Sequence, residues 1–218
     1  FMQKLIFSLA IFLFSFQKAQ AYELPISTLD HLDKVSIYIQ TVDPGNLVYD
    51  NFGHTLVRVE DEKEKRNYVF NWGVFSFGEP VSFALDFYRG YLNYTLGISG
   101  YSSMLRMFAY DKRSVYEDKL FFTNKQKEIF IRKLLWNQKD SNRDYLYQYF
   151  DDNCSTRPRD YVNLAIDGNF KSQFDDKKGD ISYRDLIREA YASIPPMSMI
   201  LDTILNSEID VIFNLYGR

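Results

Sequence analysis

The stretch VSIYIQTVDPGNLVYDNFGHTLVRVEDEKEKRNYVFNW, residues 35–72, decides the fold class. Val35 to Thr41 alternates and is rich in β-branched residues, which predicts a half-buried strand. Asp43-Pro44-Gly45-Asn46 is turn chemistry. Thr55 to Val59 predicts a second strand. Asp61 to Arg66 is a charged hairpin loop, and Asn67 to Trp72 predicts a third strand. Three short strands joined by turns make an antiparallel meander.

Further along the chain the period changes. Glu79 to Tyr88 predicts a helix that ends at Gly90, Asn93 to Ile98 a strand, Tyr101 to Phe108 a helix and Val115 to Phe121 a strand. Thr123 to Gln126 is a capping box that opens a helix to about Gln138. Asp140 to Asp144 is a polar loop. Pro158 must sit in a first helical turn, since deeper it would remove an intrahelical hydrogen bond. Its helix therefore starts near Cys154 to Thr156 and runs to Ile166, with Gly168 just past its end. Asp175 to Gly179 is an exposed loop. Ser182 to Ala192 and Met197 to Asn206 predict two closing helices, separated by Pro195-Pro196. The class is α+β: a small antiparallel sheet packed with helices.

The N-terminus reads as an export signal. Met2-Gln3-Lys4 is a short positive region, Leu5 to Phe16 is apolar, and Ala19-Gln20-Ala21 suits signal peptidase. We expect residues 1–21 to be a signal peptide, 22–34 a linker and 35–218 one catalytic domain. No second apolar run of about twenty residues follows, so the expectation is a periplasmic protein, soluble or attached to a membrane surface. Charged residues are 25% with a formal net charge of -3, which gives no footprint for nucleic acid. Aromatics reach 17%. They suit either an aromatic core or a surface at lipid headgroups. No metal-ligand spacing or cofactor motif stands out, and none is expected.

The chain has one cysteine, in Asp151-Asp152-Asn153-Cys154-Ser155-Thr156-Arg157-Pro158-Arg159-Asp160. An exported free thiol is a liability unless buried or used. This one stands at a helix start, where backbone N–H groups and the helix dipole favour a thiolate. Arg157 and Arg159 would add positive field. The same N–H groups could form an oxyanion hole. The bland reading is a capping cluster with an incidental cysteine, since Asp152, Asn153, Ser155 and Thr156 are all good caps.

A thiolate nucleophile needs a base. His31 lies in a polar stretch, Leu29 to Asp33, and is expected at the surface. His54 follows a Gly-preceded turn at a strand mouth, where it can face a helix-start cysteine. Asn71, on the next strand, is the first choice to orient the imidazole. Asp61 and Glu60 are alternatives in a loop expected to be solvated. Cys154, His54 and Asn71 are thus the expected catalytic residues. Asn153, Ser155, Arg157 and Asn51 are expected to contact substrate.

Asn51-Phe52-Gly53-His54-Thr55, Phe70-Asn71-Trp72-Gly73 with Phe75 and Phe77, Tyr91-Leu92-Asn93-Tyr94, and Asp152 to Asp160 together resemble the Lnb family of exported lipoprotein N-acyltransferases. The resemblance runs from about Val35 to Asp210. The order His then Cys also resembles circularly permuted NlpC-type folds, of papain-like architecture. Family members continue past the point where this chain stops at Arg218, so the resemblance implies further chain there. It also implies a phospholipid acyl donor, a diacylated lipoprotein acceptor and work at a membrane surface. In that mechanism Cys154 attacks the lipid ester and the lipoprotein α-amine resolves the thioester. Segments Phe75 to Tyr88 and Tyr91 to Tyr101 would line an acyl channel, or simply form core. Two rivals stay open: an NlpC-like cell-wall peptidase or amidase with a polar open cleft, and a non-catalytic periplasmic binding module.

Overall fold

The computed structural model describes residues 22–45, 50–75, 92–192, 195–205, 207–214 and 216. The expected signal peptide and the expected helix at Glu79 to Tyr88 lie outside the described residues.

Eight strands are present among the described residues: β1 (Val35–Val42), β2 (His54–Asp61), β3 (Arg66–Phe75), β4 (Leu92–Gly100), β5 (Val115–Leu120), β6 (Asp144–Tyr147), β7 (Lys178–Ser182) and β8 (Ile212–Asn214). The helices are α1 (Tyr101–Tyr110), α2 (Asn124–Asn137), α3 (Asp140–Arg143), α4 (Thr156–Ala165), α5 (Asn169–Phe174), α6 (Tyr183–Ala190) and α7 (Pro195–Ile204). Six strands form one antiparallel sheet in the order β5-β1-β2-β3-β4-β6, and β7 pairs with β8 apart from it. The α+β class stands as the sequence implied.

The sheet is covered on both faces, and strand parity decides which residue meets which helix. Ile37, Val57, Val59, Phe70 and Trp72 pack with Phe130, Ile131 and Leu134 of α2 and with Tyr161 and Ala165 of α4. The opposite face carries Val42, Leu56 and Val69, which meet Met104 and Phe108 of α1. Both faces of β2 are therefore buried, so its apolar residues run on rather than alternate.

One buried node ties three elements together. Asn137 Oδ1 accepts from Trp72 Nε1 and from the Tyr161 hydroxyl, both at 2.7 Å, while its Nδ2 donates to the Asn142 carbonyl. It anchors the sheet to α2 and to α4, the helix that begins just after Cys154.

Several local expectations change. The segment expected to be a linker is packed. Residues Ile26–Lys34 form a 3₁₀ helix, Leu24 is buried, and the Leu24 backbone exchanges two hydrogen bonds with the Gln138 side chain. His31 is buried, not at the surface. Its Nε2 meets Asp61 Oδ2 at 2.9 Å, and Thr28 Oγ1 donates to the same carboxylate. Asp61 is fully buried rather than solvated. Polar residues that look water-seeking in sequence satisfy one another here, which is how buried polar groups persist. Asp140–Arg143 is a short helix, and β7 begins inside the expected loop at Asp175 to Gly179. The two prolines open α7 instead of preceding it, since the first helical turn needs no N–H from them.

Candidate active site

His54 is the first residue of β2 and lies opposite Val42 of β1. Gly53 delivers it from a turn at φ +75°, where a Cβ would stand 2.6 Å from the Val42 carbonyl oxygen. Only glycine takes that turn without strain. Asn71 lies on β3, where the pairing with β4 slips between Asn71 and Val74. Such an irregularity re-aims a side chain.

Here it aims Asn71 at the imidazole. Asn71 Oδ1 lies 2.7 Å from His54 Nε2 and accepts the Gly73 backbone N–H, also at 2.7 Å. The Gly73 N–H can only donate, so it identifies the amide atom as oxygen. Nε2 must then carry the proton that faces Asn71. In the neutral ring Nδ1 is left as a lone pair. Gly73 itself must be glycine, since a Cβ there would lie 2.4 Å from His54 Cε1.

Cys154 arrives from the other layer, two residues before α4. His54, the Thr55 backbone and Ser155 all favour the charged form of its thiol. With Nε2 engaged by Asn71, Nδ1 is the nitrogen available to the sulfur. Burial alone would push the thiol up. The His54 hydrogen bond and charge, the Thr55 N–H and the Ser155 hydroxyl outweigh it, and the thiol sits below its ordinary value. Burial likewise opposes charge on His54, as does Arg113. Cys154 and Asn71 overcome both and raise it. The two shifts have one cause: each partner stabilises the other's ion, so the site favours thiolate with imidazolium.

The residues expected around this core divide. Cys154, His54 and Asn71 come together. Ser155 joins them, with its Oγ 2.9 Å from Thr55 Oγ1. Asn153 lines the cavity and also holds the turn before α4. Its Oδ1 accepts the N–H groups of Ser155 and Thr156 at 2.8 and 3.0 Å, and its Nδ2 donates to the Tyr149 carbonyl. Those two N–H groups are therefore engaged by Asn153, and of the helix-start N–H groups expected to form an oxyanion hole they are the ones already bonded. Arg157 does not line the cavity. It forms a bidentate pair with Asp152 and lies 3.6 Å over the Tyr145 ring. Arg159 pairs with Asp160. The field of both arginines is thus offset, and the thiol is lowered by His54, Thr55 and Ser155 instead. Asn51 also stands off the cavity wall: its Nδ2 bonds the Ala190 carbonyl and ties the loop before β2 to α6.

The cluster opens into a cavity of about 1150 Å³. Its wall is chiefly aromatic and aliphatic. Phe75, Leu92 and Tyr94 come from the segments expected to form an acyl channel. Ile187 and Tyr191 of the α6 region and Leu201 of α7 close the far side. Sequence reading missed that second wall, along with Gly73 and Thr55. The Gly after Asn71-Trp72 and the Thr after His54 were visible, but only the folded contacts give them work.

Fold and site define a class: an α+β protein with a half-buried Cys–His–Asn cluster at the end of an antiparallel sheet. The chain belongs to the family described as the Lnb N-terminal periplasmic domain, whose profile matches residues 26–189, more than half its length. It is a periplasmic protein of that family. Neither a curated protein nor a solved structure matches the chain. Among the described residues no helix is long and apolar enough to cross a membrane.

Proposed function

We propose that this protein is a thiol acyltransferase that moves an acyl chain from a membrane phospholipid to the N-terminal amine of a lipoprotein. One observation carries the reading: a His-paired, ionisable thiol opens onto a large apolar cavity. Ordinary small-molecule pockets span about 300–1,000 Å³, so a cavity of about 1150 Å³ has room for a long aliphatic chain. A cell-wall peptide would ask for a polar, open cleft. A binding module would have no use for a charged Cys–His pair.

The chemistry follows from the geometry. The Cys154 thiolate attacks the ester carbonyl, and a C–S bond forms as the carbonyl π pair moves to oxygen. Collapse restores the carbonyl and expels the lysophospholipid alkoxide, which takes the proton from His54 Nδ1. The lipoprotein α-amine then attacks the thioester, gives its proton to Nδ1, and the thiolate leaves. Asn71 holds the ring in one tautomer throughout. The aromatic wall limits water, which would otherwise divert the thioester to hydrolysis.

The test is the purified protein with phospholipid vesicles and a synthetic diacylated lipopeptide, read by mass spectrometry. One added acyl chain on the lipopeptide amine is expected, and none with Cys154→Ser. Release of free fatty acid with no lipopeptide product would reassign the protein as a lipase.

A further inference from the structure

The tetrahedral intermediates of the proposed reaction carry an oxyanion, and an oxyanion needs two hydrogen-bond donors aimed at it. The Ser155 and Thr156 N–H groups do not supply both, because Asn153 Oδ1 holds them. The Ser155 hydroxyl is engaged with Thr55 and with the sulfur. The Thr55 backbone favours the charged thiol.

Phenols surround the thiol on the remaining side. Tyr94 and Tyr147 line the cavity with Cys154 and pack against the same core. Their rings stack at 4.3 Å, and Tyr94 stacks in turn on Phe75 at 4.9 Å. Tyr145 is close by, but its hydroxyl is committed to the Trp72 carbonyl. Among the described residues the Tyr94 and Tyr147 hydroxyls have no hydrogen-bond partner. Both phenols are half-buried and pushed up, first by burial and then by the nearby Cys154 charge, with Tyr94 at about 12. They therefore keep their protons at any working pH and stay donors.

We propose that the Tyr94–Tyr147 stack supplies a phenolic donor that, with the Cys154 backbone N–H, forms the oxyanion hole of this site. The proposal rests on the acyl-transfer reading given above. A tyrosine in this place has a physical logic. Stacking costs the ring its freedom before substrate arrives, so the hydroxyl is positioned in advance. The hydrogen bond strengthens as the carbonyl oxygen gains charge, which is the differential binding that catalysis requires.

The test compares two reactions of the same sulfur. Acylation by a p-nitrophenyl ester of a long-chain fatty acid passes through an oxyanion. Alkylation by iodoacetamide is a direct displacement and does not. Tyr94→Phe, Tyr147→Phe and the double variant keep the rings and lose the hydroxyls. Loss of one oxyanion donor costs about 10²–10³-fold in rate. We expect the double variant, and at least one single variant, to lose acylation on that scale while alkylation stays within about twofold of wild type. Acylation of the double variant at the wild-type rate would overturn the proposal and leave the acyl-transfer reading intact. Equal loss of acylation and alkylation would also overturn it, since the tyrosines would then be holding the thiol in place. A wild-type protein that is alkylated but never acylated would sink both claims.

Discussion

At the scale of single residues, the site depends on how a few hydrogen bonds distribute one proton. The Gly73 N–H orients the Asn71 amide, the amide sets the His54 tautomer, and the tautomer leaves Nδ1 for Cys154. A pH profile follows with a definite sign. The alkylation rate tracks the thiolate, and the Cys154 thiol is held below its ordinary value. Alkylation should stay fast below the free-thiol pKa of about 8.5 and fall only at more acidic pH. His54→Asn removes the largest lowering partner and leaves burial, so the inflection should move above the free-thiol value. Identical profiles for the two proteins would contradict the ion pair. Asn71→Ala should slow turnover by about 10²-fold, the scale expected when a reacting group loses its positioning, with little change in melting temperature. Gly73→Ala places a methyl 2.4 Å from His54 Cε1, so turnover should drop while circular dichroism stays native. Full activity in that variant would mean the ring has room to move. Cys154 and His54 stood out in sequence because few residue types can pair as nucleophile and base, and the fold brings both to one cavity. Arg157 and Asn51 stand off the cavity wall while Asn153 lines it, a division hidden in sequence because capping and pairing use the same polar residues that bind substrates.

At the scale of elements, α4 must be held against β3, the neighbour of β2, for Cys154 to face His54 at the start of β2. The Asn137 node holds them, with Trp72 and Tyr161 donating to one oxygen. Asn137→Ala would strand two buried donors, each costing about 1–3 kcal/mol. We expect a loss of roughly 3 kcal/mol in a denaturant titration, and a change below 1 kcal/mol would show that the node is not needed. Asn153→Ala should cost about 1 kcal/mol as a lost cap. It should also slow Cys154 alkylation, because the cap orients the turn that carries the thiol. Apolar runs bounded by turn, cap and proline signals revealed β1 to β5, α1, α2 and α4. The 3₁₀ segment Ile26–Lys34 was hidden, because its burial rests on Thr28, His31 and Asp61 satisfying one another across 33 residues.

At the scale of the whole molecule, the cavity is a product of assembly. One wall is the end of the six-stranded sheet, and the other is the helical pair α6 and α7 with Tyr191. Sequence pattern gives each wall an apolar face but does not say that the two faces leave a gap between them. In the proposed function that gap is where a long acyl chain would lie. The central claim is that the chain is carried on Cys154 itself. The measurement is the intact mass of the protein after incubation with phospholipid vesicles and no acceptor, followed by peptide mapping. The account predicts a gain of one acyl chain on Cys154 that hydroxylamine removes and that is absent in Cys154→Ser. Phospholipid cleavage at equal rates in wild type and Cys154→Ser, with no adduct on the cysteine, would contradict it.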